Sequence, residues 1–258
     1  MAYINGKKVL FTPKVNVTQI KGLDTSDIED LSNFAMFDKF NDRLDSINTA
    51  SCKNFNNILA ESVELTEAPD WNTSQGVYFD SMFTGCTALT VAPQYDFKNG
   101  EMFCYTFNRS GITEVPDYNL ENAKDTNNMF SECAELKTVG VINIPNVESC
   151  SNMFNCCMQL ETVAGLDISN ATGEMTADFM FYWCEQLKNL TINGEIKVSF
   201  DVSSSPLLTV ESLTSIINAL ADVTEDTTTR WLYLGYENNE KLTEEQIAII
   251  ANKGWVNA

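Results

Sequence analysis

Histidine is absent from this chain of 258 residues, and that absence limits its chemistry more than any residue present. Without imidazole there is no Ser-His or Cys-His nucleophile pair, no ordinary neutral-pH general base, and none of the commonest zinc and iron ligand. Positive charge is scarce as well. Sixteen Lys and Arg against 36 Asp and Glu leave a formal charge of −20 at pH 7 and a sequence pI of about 4.2. Such a surface repels phosphate backbones and anionic headgroups, so nucleic acid and membranes are not expected partners. Residues 1–20 hold only short apolar runs such as Val9-Leu10-Phe11. A secretory signal needs about 7–15 consecutive apolar residues and a spanning helix about 20, so the expectation is a chain made in the cytoplasm, without signal peptide or membrane insertion. Eight cysteines, with no Cys-x-x-Cys pair, are too sparse for a disulfide framework. With no histidine, a zinc site would need four thiolates, and no metal or cofactor is expected. What remains, 44% hydrophobic and 10% aromatic, suffices for a packed core.

What the chain does contain is a repeat. Met82-Phe83, Met129-Phe130, Met153-Phe154 and Met180-Phe181 each precede a cysteine by three residues from the Phe: Cys86, Cys133, Cys157 and Cys184. Six residues after each Phe stands Leu89, Leu136, Leu160 or Leu187, and three further on Ala92, Val139, Val163 or Leu190. Degenerate copies run Phe107, Ser110, Ile112, Val115 and Leu59, Ser62, Leu65, Ala68, and Pro69, Pro93 and Pro116 recur between copies. In the second half of each unit an Asn or Asp recurs at Asn48, Asn72, Asp96, Asn119, Asn143 and Asp167, at intervals of 24, 24, 23, 24 and 24. A second polar column follows three residues later: Ser51, Gln75, Asn99, Asn122, Asn146 and Asn170.

Periods of this length mean stacked units that share one core. The expected fold is an α/β repeat solenoid of about six rungs, each of about 23–24 residues. Each rung would carry a short strand at Leu-x-x-Val and a tight or single helical turn at Met-Phe-x-x-Cys. The Phe, Leu and Val columns are then core. The Asn/Asp column is expected to be a structural ladder, its side chains satisfying backbone groups of the adjacent rung at a chain reversal. The Cys column reads as free, buried thiols, since Ser62 and Ser110 replace it without breaking the pattern. Cys52, Cys104, Cys150 and Cys156 lie outside it and are expected to be more exposed.

Candidate sites are few. Tyr78, Phe79, Tyr105, Tyr182 and Trp183 stand beside the Met-Phe turns rather than in the main columns, and aromatic faces near amides and carboxylates suit sugar stacking. The competing expectation makes them edge filler, with Tyr182 and Trp183 covered by the C-terminal segment. Asp70 and Asp117 share a column two rungs apart, with Gln94 between. Two stacking steps put them about 10 Å apart, just beyond the separation usual for inverting glycosidases. An enzyme is not the expectation.

Three segments follow. In the N-terminal cap, 1–46, Asn5-Gly6 predicts a hairpin and the Ser26-x-x-Glu29 box predicts a helix over about 27–44. The repeats occupy 47–190. The C-terminal α/β cap, 191–258, reads as a strand over Ile196–Val202, a helix after Thr209, a strand at Trp231–Leu234 and a helix boxed by Thr243 and Gln246.

At the Met-Phe-x-x-Cys-x-x-Leu-x-x-Val-Pro unit, with Asn-Thr-Ser or Asp-Ile-Ser after it, the chain resembles the BspA-like leucine-rich repeats of mycoplasma lipoproteins and gut Firmicutes surface proteins. That resemblance implies a right-handed leucine-rich-repeat solenoid used in adhesion and binding, with no catalytic residues. The opening Ile-Asn-Gly-Lys-Lys-Val-Leu-Phe-Thr-Pro and the closing Leu-Thr-Glu-Glu-Gln-Ile-Ala-Ile-Ile-Ala-Asn-Lys-Gly-Trp resemble termini of phage and prophage tail-associated proteins. The functional expectation is therefore a non-enzymatic binding or structural solenoid, tail-associated, in the virion or outside the cell after lysis. Its partner would be a protein or a cell-surface glycan. Two alternatives stand beside it: a bacterial adhesin-like surface protein whose leader is missing, and a glycan-processing enzyme built on an acid pair.

Overall fold

The computed structural model describes residues 2–4, 7–9, 25–34, 47–171 and 177–258. Strands β1 (Ala2–Ile4) and β2 (Lys7–Val9) pair antiparallel, with Ala2 opposite Val9. The expected turn residues between them, Asn5-Gly6, lie outside the described residues.

The repeat period becomes a series of chain turns stacked in parallel. Single parallel bridges join Asp30 to Asn54, Asn54 to Tyr78, Tyr78 to Met102, Met102 to Asp125 and Asp125 to Ser149. The Leu-x-x-Val segments supply a parallel sheet of β3 (Glu114–Val115), β4 (Tyr118–Asn119), β5 (Thr138–Asn143), β6 (Thr162–Asp167) and β7 (Asn189–Ile192). Its order is β3-β5-β6-β7, with β4 also on β5. Register follows the period, since Val139 faces Val163 and Val163 faces Leu190.

The Met-Phe-x-x-Cys segment folds as a run of tight turns rather than one helical turn. The N–H groups of Met82, Cys86 and Leu89 donate to the carbonyls of Phe79, Phe83 and Cys86 at 3.1–3.2 Å. Intervening donors reach the next repeat instead: Ser81 N–H bonds Cys104 O, and Gly85 N–H bonds Asn108 O, each at 2.8 Å. Backbone donors are thus shared between the turn and its neighbour, as burial requires.

Inside the stack, identical side chains fall on one another. Phe83, Phe107, Phe130, Phe154 and Phe181 form a column with ring centroids 5.2–5.5 Å apart and planes within 11° of parallel. Phe55, Phe79 and Phe103 form a second at 5.2 Å. Each offset pair adds about 0.5–1.5 kcal/mol beyond the area it buries. The Leu89, Leu136, Leu160 and Leu187 column has no exposed surface.

The helix expected over 27–44 is absent from its described part, 27–34. Leu31 and Asn33 N–H groups instead donate to Asn54 and Asn56 carbonyls of the following repeat. Residues 25–34 therefore belong to the stack. The three-residue apolar spacing of Ile28, Leu31 and Phe34, read as helical, is also the spacing of successive tight turns. Residues 35–46 lie outside the described set.

At the other end the sheet stops against a helix. After β8 (Phe200–Asp201) comes α1 (Val210–Ala219), capped by Thr209, whose hydroxyl takes the Ser212 N–H. Ser212 Oγ accepts the Leu190 N–H at 2.9 Å and Ser215 Oγ the Ile192 N–H at 3.0 Å. Helix hydroxyls thereby occupy donors of β7 that a further repeat would have used. The chain continues through β9 (Arg230–Tyr233), α2 (Tyr236–Asn239), α3 (Glu244–Asn252) and β10 (Trp255–Asn257), with a second parallel sheet ordered β10-β9-β8. Of the expected Ile196–Val202 strand only Phe200–Asp201 is regular, while Ile196 bridges Leu220.

Lys253, just after α3, closes the C-terminus of α1: its Nζ donates to Ile217 O at 3.4 Å, Asn218 O at 2.9 Å and Leu220 O. A cation there also meets the negative end of the helix dipole. Lys253→Met is expected to cost about 1–3 kcal/mol in urea unfolding by removing the ammonium from the Asn218 and Leu220 carbonyls. A loss under about 0.5 kcal/mol would mean that water replaces the ammonium fully.

Candidate recognition surface

Each repeat bends twice through the left-handed region of backbone space. Among the described residues, twelve that are not glycine have φ of 55–61°, and they fall in two columns. One runs Asn33, Asn57, Ser81, Tyr105, Asn128, Asn152, Phe179. The other runs Glu61, Arg109, Glu132, Cys156, Trp183, with Gly85 (φ 71°) filling the second place. Asn and Gly are the residues this conformation favours, and bulky side chains are uncommon in it. Tyr105, Phe179 and Trp183 are the aromatic occupants, beside the charged Glu61, Arg109 and Glu132. The three aromatics are also exposed, at 44%, 52% and 47%.

Phe179, Tyr182 and Trp183 touch. Tyr182 stacks on Trp183 at 5.6 Å and meets Phe179 edge-on at 5.7 Å. The expected burial of Tyr182 and Trp183 beneath the C-terminal segment does not occur, because α1 covers β7 and not the turn that carries them. Tyr105 lies three repeats from Phe179 along one column, about 14 Å at ordinary strand spacing. Tyr78 is half exposed beside the first Phe turns. Phe79 is no surface residue. It sits fully buried in the column with Phe55 and Phe103, its counterparts one repeat before and one after. Phe179 carried no such column signal in the sequence, and only its backbone conformation reveals it.

The polar columns divide their work differently from expectation. Oδ1 of Asn48, Asn72, Asp96, Asn119 and Asp167 accepts the backbone N–H two residues on, at 3.0–3.2 Å, closing a turn within its own repeat. An acceptor is all that this turn needs, so Asp and Asn interchange. Asn143 departs from this, sending its Nδ2 to Asn119 Oδ1 at 3.3 Å. The second column crosses between repeats, where Asn99, Asn122 and Asn146 Nδ2 donate to Ser74, Lys98 and Glu121 carbonyls at 2.8–2.9 Å.

All eight thiols are free. In the Cys column the sulfhydryls of Cys86, Cys133, Cys157 and Cys184 donate to Leu59, Phe107, Phe130 and Phe154 carbonyls of the preceding repeat at 3.0–3.2 Å. Burial pushes the Cys86 and Cys133 thiols up to about 12. Of the four cysteines outside the column, Cys52 and Cys150 are also buried, contrary to expectation, and only Cys104 and Cys156 are partly exposed. Disulfide-exchange reagent at pH 8 is therefore expected to modify Cys156 first, ahead of Cys104, whose thiol is pushed well up by partial burial and by the neighbouring Asp125 and Asp80 carboxylates, and ahead of the six buried thiols, which react only on unfolding. Simultaneous reaction of all eight in the folded protein would overturn the buried column.

In the acid pair, Asp117 is engaged with the backbone of the next repeat. Asp117 Oδ1 takes the Val141 N–H at 2.7 Å, replacing a ladder bond where β3 and β4 are interrupted, and Gln94 Nε2 reaches the Asp117 carbonyl at 3.4 Å. Among the described residues no group of three or more Cys, Asp or Glu is placed to hold a metal ion, and no helix is long and apolar enough to cross a membrane.

Parallel strands repeating at one interval, with leucine and phenylalanine columns between them, define a leucine-rich type of α/β repeat protein. The chain belongs to the family described as "Mycoplasma protein of unknown function, DUF285", whose model matches residues 7–111, 69–171 and 97–205. A solved leucine-rich repeat protein from Bacteroides ovatus ATCC 8483 is similar at 17% identity and a TM-score of 0.41, over 58% of this chain and 37% of its own. This chain thus spans little more than a third of that protein's length. No curated protein matches. The family accords with the mycoplasma-type repeat read from the sequence, whereas the tail-protein likeness of the termini finds no support in these comparisons.

Proposed function

We propose that this chain is a non-enzymatic recognition module, a short right-handed solenoid of about six rungs that contacts a bacterial cell surface through exposed aromatic side chains. One observation carries the reading. Five of the seven left-handed positions in the first column hold Asn or Ser, yet Tyr105 and Phe179 stand half exposed in the other two, and Trp183 is the one aromatic in a second column otherwise filled by Glu, Gly, Arg and Cys. Residues unfavourable for the backbone and useless to the core are the kind that serve binding. Ring faces rimmed by amides and carboxylates suit a cell-surface glycan, and the net charge of −20 disfavours anionic polymers. In the finer form of this reading the module is tail-associated in a phage or prophage and meets its target from the virion.

The test separates folding from binding. Fluorescently labelled protein is incubated with intact gut Firmicutes and their purified wall polysaccharides. Strain-selective binding that polysaccharide competes away is expected, and Trp183→Asn with Phe179→Asn should abolish it while leaving the melting temperature unchanged or raised. Binding that survives both substitutions would overturn the aromatic site, and absence of binding to every cell would overturn the recognition role.

A further inference from the structure

The sheet side of the stack holds a feature independent of the aromatic turns: an open groove of about 1050 Å³ crossing five successive repeats, from Thr66–Asp70 to Thr162–Ala164. Its apolar surface comes chiefly from Val91, Pro93 and Pro116. Val91 is 58% exposed, an unusual position for an aliphatic side chain in the middle of a repeat array. The walls are braced. Tyr95 Oη donates to the Pro69 carbonyl, and Tyr118 Oη to the Pro93 carbonyl at 2.7 Å, so the proline segments are tied to a partly buried and a fully buried ring and the groove is preformed.

The charge in the groove has one sign. Glu67, Asp70 and Glu114 line it, and no lysine or arginine does. Glu114 bridges Val91, and Glu67 is the counterpart of Val91 one repeat earlier, so the two glutamates belong to one column, two repeats apart. At ordinary strand spacing that separation is about 9.6 Å. An extended polyproline-type peptide rises about 3.1 Å per residue, so every third side chain returns to the same face after about 9.3 Å. The two spacings match. We propose that this groove binds an extended, proline-containing basic peptide segment of a partner protein, lying along the stacking direction. Cationic side chains three residues apart meet Glu67 and Glu114, and prolines pack on Val91, Pro93 and Pro116. Such a peptide loses little chain entropy on docking, because its conformation is already extended.

The probe is a fluorescein-labelled (Lys-Pro-Pro)3 peptide, titrated with the full chain at low salt and followed by anisotropy. Saturable binding is expected, with no binding of (Glu-Pro-Pro)3. Glu67→Gln/Glu114→Gln should weaken it about 10-fold, while Glu132→Gln/Glu185→Gln, which removes the same charge elsewhere on the surface, should change it less than about 2-fold. A peptide of the same composition with its lysines contiguous should bind more weakly. All four glutamates are exposed, so both double variants should melt like the parent, which a thermal scan checks. Equal weakening by the two double variants, equal binding of the contiguous-lysine peptide, or displacement by an equal concentration of spermidine would each reduce the effect to general attraction for an acidic protein and overturn the proposal. Failure of the lysine peptide to bind would overturn it outright. Trp183→Asn should bind this peptide normally, so the groove and the aromatic surface stand or fall separately.

Discussion

Phe130→Ala is expected to lower the unfolding free energy by about 3–5 kcal/mol. Phe130 is fully buried and is gripped from both sides, by Phe107 and Phe154, each at 5.5 Å. Truncation removes the transfer energy of one ring and both of its stacking partners. It also leaves a cavity that the column cannot close, because the rings on either side are fixed by their own repeats. Leu136→Ala and Leu160→Ala, in the neighbouring fully buried column, should cost about 2–5 kcal/mol each. For a chain of this size each kcal/mol lowers the melting midpoint by about 2–4 °C. Urea melts give the measurement. A loss below about 0.5 kcal/mol, the size of an ordinary surface substitution, at any of the three would mean that the columns do not stack as described.

Gly111→Ala should be comparably damaging for a different reason. A Cβ at Gly111 would stand 2.2 Å from the Thr87 carbonyl oxygen and 3.0 Å from its carbon. Both are main-chain atoms of the preceding repeat. Gly111 N–H also donates to the Cys86 carbonyl at 3.1 Å, which holds the two segments at this approach. No side chain can rotate to make room, so the repeats must separate, at a cost of about 1–3 kcal/mol or more. Gly85→Ala is the useful contrast. Its Cβ would meet the carboxylate of Glu61, at 2.7 Å, and a flexible side chain can move aside. The left-handed φ of 71° then sets the cost, about 1 kcal/mol. Comparing the two melts decides the point. If Gly111→Ala proves no worse than Gly85→Ala, the repeats are free to shift and the close approach is not required.

Gly85 shows how charge is fitted around such positions. Arg109 reaches across it to Glu61 at 2.7 Å, and Lys53–Glu29 and Lys188–Glu161 pair adjacent repeats at 2.9 and 3.0 Å. These pairs are largely exposed and contribute little individually.

Most of the core could be read from spacing alone. A residue that must touch its counterpart in the next repeat has to recur at the repeat interval, so Phe, Leu, Val and Cys columns appear in the sequence as plainly as in the structure. The same logic would have placed Phe79 in the core, since Phe55, Phe79 and Phe103 recur once per repeat. Over residues 27–34 the expected N-terminal helix is replaced by turns, because a period of three satisfies both a helix and a run of tight turns, and Ser26-x-x-Glu29 fits either. Parallel hydrogen bonds from Leu31 and Asn33 to the next repeat decided between them.

The recognition surface was only partly legible. Tyr78 and Phe79 are adjacent in sequence, yet one is half exposed and the other fully buried. Recurrence with Phe55 and Phe103 marks Phe79 as core, but the exposure of Tyr78 has no such signal, because the direction of a side chain in a tight turn depends on which residues adopt left-handed φ. The polar columns show the same limit. Recurrence revealed that both matter, but not that one closes its own turn while the other reaches across. The sequence by itself determined the period, the parallel stacking and the core, because contacts between identical units must repeat at the unit length. Only the tertiary structure decided which aromatics meet solvent, how Ser212 and Ser215 end the sheet and where the groove lies. Those features depend on turn handedness and on contacts between segments that share no period.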